Sequence, residues 1–83
     1  MITFDLTLNA TWQDVLNGGD FIAFDVLSSS EVQIFFSESA ATPSGDGNKV
    51  MTYPSSWDFT AAGMAAGAQR IWVKGSGSIR GVR

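Results

Sequence analysis

The chain has 83 residues, of which 45% are apolar, 16% charged and 12% aromatic, and its formal charge is −3. It contains neither Cys nor His, which excludes disulfide staples, Cys/His zinc sites, thiol nucleophiles and the commonest general base. A domain this small buries only about 60–65% of its unfolded surface. Its thin charge therefore means either that Ser/Thr/Gly loops cover it or that another chain does.

Residues 2–8 alternate, with Ile2, Phe4, Leu6 and Leu8 on one side and Thr3, Asp5 and Thr7 on the other. That period of two predicts a strand with one buried face. The stretch lacks the charged start and apolar run of a signal peptide. Thr11-Trp12-Gln13-Asp14 resembles a weak capping box and predicts one helical turn over 12–16, ended by Asn17-Gly18-Gly19. Trp12 reads as a core plug or, alternatively, as a surface anchor. Residues 21–27 and 31–37 flank Ser28-Ser29-Ser30, a polar connection of hairpin length. In such a hairpin Ile22, Phe24 and Val26 share a face with Val32, Ile34 and Phe36, while Asp25, Glu31, Gln33 and Phe35 point outward.

Residues 38–48, ESAATPSGDGN, form a polar surface loop. Asp46-Gly47-Asn48 lacks the other ligands of a calcium loop and reads as a turn. Strand character resumes over 49–53 and is broken by Pro54-Ser55-Ser56. Residues 57–69 mix helix-favouring Ala and Met with Gly63 and Gly67, which predicts a loop with one turn at most. The closing stretch RIWVK-GSG-SIRGV reads as a hairpin, with Ile71 and Val73 on one side and Arg70, Trp72 and Lys74 on the other. Gly81 is placed to permit a bulge, because Ile79 and Val82 otherwise face opposite sides. Residues 1–83 thus read as a single all-β domain, a small β-sandwich or barrel of about six short strands with at most one short helical turn.

The acids are spread singly and no His, Cys or neighbouring Lys organises a nucleophile, so no enzyme, metal site or cofactor is expected. No stretch approaches the roughly twenty apolar residues of a membrane span. The net negative charge argues against nucleic acid. Trp12, Trp57 and Trp72 are candidates for a sugar platform, which needs coplanar exposed rings; burial is the plainer expectation for each.

Charge is segregated along the chain. All eight acids lie at or before Asp58, where Lys49 is the one cation; Arg70, Lys74, Arg80 and Arg83 follow with no acid among them. The closing strand, its Gly/Ser turn and its short final strand resemble the C-terminal end of small tailed-phage virion proteins. These are head decoration (cement) proteins and related β-domains that attach head or tail fibres. The resemblance implies a capsid-exterior protein, made in the host cytoplasm, that clamps neighbouring major capsid protein subunits. It also implies self-association, most often as a trimer. The alternative is a fibre-attachment or carbohydrate-binding β-domain of a phage fibre.

On this reading the partner-binding residues are Arg70, Trp72, Lys74, Arg80 and Arg83, presented by an edge hairpin to an acidic partner. The competing reading is a solvated strand whose cations balance the domain's own acids.

Overall fold

The computed structural model describes residues 2–16, 21–37, 41–47, 49–60 and 70–83. Eight strands run through them: β1 (Thr3–Thr7), β2 (Gln13–Asp14), β3 (Phe21–Val26), β4 (Glu31–Ser37), β5 (Lys49–Thr52), β6 (Ser55–Thr60), β7 (Arg70–Ser76) and β8 (Ser78–Val82). They form two antiparallel four-stranded sheets, ordered β1-β8-β3-β6 (sheet A) and β2-β7-β4-β5 (sheet B). The all-β sandwich expected from the alternation is what forms, with more strands than the six anticipated.

The inward-facing residues are those the period of two selects. Phe4, Leu8, Ile22, Phe24, Val26 and Ile79 from sheet A meet Val32, Ile34, Met51, Ile71 and Val73 from sheet B in one apolar core. Leu6, Trp57 and Phe59 pack against it while half-buried.

Both expected hairpins are corrected. β3 and β4 belong to different sheets, as do β7 and β8. Each pair is an arch whose strands face one another through the core. Alternation states which side of a strand is buried; it does not state whether the partner lies beside it or above it. The turn residues decide this. Ser29 adopts a positive φ of 62° and Gly77 one of 85°, and the two arches interlock. Ser78 N–H donates to Ser30 Oγ at 2.8 Å, and Leu27 N–H donates to the Ser78 carbonyl at 3.1 Å. A Cβ on Gly77 would drive into the buried Ser30 side chain.

Three smaller expectations also change. Residues 12–16 make no helical turn: Gln13 and Asp14 pair with Val73 and Trp72, and Val15 N–H donates to the Ile71 carbonyl at 2.8 Å. Tertiary pairing outweighs the weak cap there, as propensity commonly yields to context. Ser55–Thr60 is a strand in unbroken register with β3, where a break and a loop were expected; the rest of the 57–69 stretch lies outside the described residues. Gly81 sits in no bulge. β8 keeps unbroken register with β1 and with β3, and Gly81 serves close approach instead, since a Cβ would strike the Ala23 carbonyl.

Candidate interaction surfaces

The sandwich places four of the five expected partner-binding residues on two opposite outer faces and the fifth, Arg83, beyond the end of β8. Arg70, Trp72 and Lys74 lie on the outer side of sheet B, whereas Arg80 lies on that of sheet A. Arg83 follows β8 at the β1 edge, where its backbone pairs with Ile2 through bonds of 2.7 and 2.9 Å. No single partner surface can collect all five. The edge premise also fails, because β7 lies between β2 and β4, and β8 lies between β1 and β3. Both closing strands are interior, with their backbone groups engaged on either side.

On sheet B the outward direction of Trp72 is as expected, but its exposure is not. Asp14 and Phe35 flank it in register, and it is only 7% exposed. Trp12, 8% exposed, packs edge-on to Phe35 with ring centroids 6.0 Å apart. It is buried outside sheet B rather than as a plug between the sheets. The described loop residues Gly45 and Gly47 lie against the Trp12 side of this layer. Lys74 Nζ donates to the Gly45 carbonyl at 2.9 Å and lies 4.7 Å from the Trp12 ring centroid. Gly47 N–H donates to Gln33 Oε1 at 3.0 Å. Among the described residues the buried indole N–H groups of Trp12 and Trp72 find no hydrogen-bond partner. Neither ring is available as a sugar platform.

The cations answer the domain's own acids and carbonyls. Arg70 Nε lies 3.3 Å from Asp14 Oδ2, in a pair that is largely shielded. Arg80 Nε donates to Asp5 Oδ1 in an exposed pair; that hydrogen bond first, and the Coulomb attraction second, raise the Arg80 guanidinium above its ordinary value. Arg83 Nη1 donates to the Val15 carbonyl at 2.8 Å, and its guanidinium stacks 4.7 Å over the Phe4 ring. Segregation along the sequence is undone by topology. β1 pairs with β8 and β2 with β7, so the acidic opening strands lie against the basic closing ones.

Two other surfaces stand out. The outer face of sheet A holds an open groove of about 540 Å³, walled by Asp25, Ser56, Asp58 and Arg80 over a floor of Ala23, Gly81 and Val82. Arg80, Asp25 and Ser56 form one cross-strand row of it, which Asp5 continues beyond the groove on β1. On the β5–β6 side, Val50 and Tyr53 are 58% and 56% exposed beside the exposed Lys49. Trp57 stacks near-parallel on Phe59, and Phe59 reaches across the sandwich to Phe36, with centroids 5.0 Å apart. The chain turns between β5 and β6 through a cis Tyr53–Pro54 bond.

Sequence reasoning missed this side. Val50 and Tyr53 look like ordinary strand residues until β5 is known to be an edge. Among the described residues, no group of three acidic side chains could hold a metal ion. Comparison with protein-family models, curated protein sequences and solved structures gave no match.

Proposed function

We propose that this chain is a structural protein of a tailed-phage virion that decorates the head surface by binding major capsid subunits. The resemblance of its closing stretch and the small, unstapled β-sandwich support that reading. The observation that carries it is the exposure of Lys49 and Val50 on edge strand β5 and of Tyr53 just beyond it. An aliphatic, a tyrosine and a flanking cation have the composition of an interface with an apolar centre and a polar rim. The docking role moves here from the closing strands, whose cations are engaged within the fold. The fibre-bound sugar module loses support, because Trp12 and Trp72 are covered.

Co-sedimentation with purified empty shells of the virus that encodes the chain tests the reading. Wild type should bind saturably and in fixed ratio to the shell subunits. Tyr53→Ala should weaken binding about tenfold or more, as expected for an aromatic anchor. A chain that stays at the top of the gradient at every concentration refutes the proposal.

A further inference from the structure

We infer that β6 is a self-association strand, pairing antiparallel with β6 of a second copy about a two-fold axis so that sheet A runs continuously through both. Among the described residues four strands have an open side, β1 and β6 in sheet A and β2 and β5 in sheet B. Three of them are short or guarded. β2 has two residues, and β5 has four and opens on Lys49. In β1, Asp5 is held by Arg80 and the Thr7 carbonyl accepts from Gln13 Nε2. β6 is the longest at six residues, and its register with β3 is unbroken. It contains no Lys, no Pro and no bulge, which are the usual devices that keep an edge from pairing.

The sequence Ser55-Ser56-Trp57-Asp58-Phe59-Thr60 also selects a register. Matching the pleats of two copies requires inward residues to meet inward ones, which leaves Trp57 opposite Trp57 or Asp58 opposite Asp58 at the axis. The second sets two carboxylates face to face, and like charges directly opposite oppose pairing. The first sets Ser56 of each copy opposite Asp58 of the other, a hydroxyl donor against a carboxylate, twice over. It also brings Trp57 against Trp57 on the inner side, where each is half-buried and packed on the core, and aromatic cross-strand pairs are favourable. About four to six backbone hydrogen bonds would join the copies, depending on which residues point their N–H groups outward. A strand-addition interface draws affinity from these bonds and specificity from the alternate side chains. Two-fold pairing replaces the expected trimer, because an edge that complements itself closes after two copies.

Sedimentation equilibrium of the full chain across the micromolar range should give a mass rising from the 8.9 kDa of one copy to twice that and no further. Ser56→Asp places an acid opposite Asp58 at both symmetric positions and should weaken the dimer about tenfold, whereas Ser56→Lys should tighten it by a similar factor. Ser56 neighbours Asp25 within the chain, so circular dichroism melts of each variant separate a fold effect from an interface effect. The chain has no cysteine, which permits a direct register test. Ser56→Cys and Asp58→Cys proteins, mixed and oxidised with diamide, should give the mixed disulfide well in excess of the Asp58→Cys homodimer. A monomer at every concentration, a mass that goes on to three copies, or a dominant Asp58→Cys homodimer each overturns the inference. The pairing is measured on the chain alone, so shell binding by a monomer would fail it and leave the proposed function standing.

Discussion

Replacing Trp72 with Ala separates a buried indole from a surface anchor. Trp72 projects from the outer side of sheet B, yet it is only 7% exposed, with Asp14 and Phe35 beside it in register. Deleting a buried Trp side chain costs about 3–5 kcal/mol in lost transfer and cavity terms. A domain of this size holds roughly 4–12 kcal/mol in all, so the variant loses a large fraction of its stability. At roughly 4–8 °C per kcal/mol, its melting temperature should fall by about 12–40 °C. Trp72→Phe is the internal control. It keeps a ring and removes an indole N–H that has no partner, and leaving a buried donor unpaired itself costs about 1–3 kcal/mol. The smaller ring and the lost donor should nearly cancel, leaving a change within about 1 kcal/mol. Thermal and urea melts followed by circular dichroism measure both. If Trp72→Ala melts within about 3 °C of wild type, a shift worth less than 1 kcal/mol, the indole is surface rather than buried. If Trp72→Phe costs as much as Trp72→Ala, the indole N–H has an acceptor.

The two acid–base pairs should differ. Arg80→Ala should leave the melting temperature unchanged within error, because the Arg80–Asp5 pair is exposed, whereas Arg70→Ala should cost about 1 kcal/mol in the shielded pair with Asp14. Arg80 is a base whose value is raised in the fold, so its contribution is complete below its ordinary value and is lost only as pH climbs through the raised one. Melts across the neutral range should therefore show no step from Arg80, and a step that vanishes in Arg80→Ala would contradict this. Lys74→Ala should release the loop that Gly45 anchors, seen as faster protease cleavage within residues 41–47 and stronger acrylamide quenching of Trp fluorescence; unchanged cleavage would mean the loop holds without it. Gly81→Ala should destabilise by about 2 kcal/mol or more, since its Cβ meets the Ala23 backbone carbonyl, which cannot swing aside; a neutral result in urea melts would show that β3 and β8 approach less closely.

The alternation in 2–8, 21–27, 31–37 and 70–74 carries β1, β3, β4 and β7 and nine of the thirteen core residues, because burial on one face of a strand leaves a period of two in the sequence. Partnership leaves no such mark. Ser28-Ser29-Ser30 and Gly75-Ser76-Gly77 have hairpin length and composition, yet both make arches, since an arch and a hairpin bury the same alternate residues. The period of two separates the outward side of β7 from its inward side, but a loop some thirty residues earlier engages Lys74 and packs on Trp12. Local spacing contains nothing of that contact. Lys49, Val50 and Tyr53 became interesting only once β5 had an edge.

The placement of β7 and β8 bears on how the chain is born. Each closing strand is an interior member of its own sheet, with a neighbour on both sides. Until residues 70–83 leave the ribosome, β1 and β3 have nothing between them, nor do β2 and β4. A stable sandwich therefore cannot form during synthesis until β7 and β8 have emerged. With the first strand paired to the last, closure is governed by contacts distant in sequence, which places the folding rate on the millisecond-to-second scale. Nonsense mutations before Arg70 would then yield unfolded product rather than a shortened sandwich.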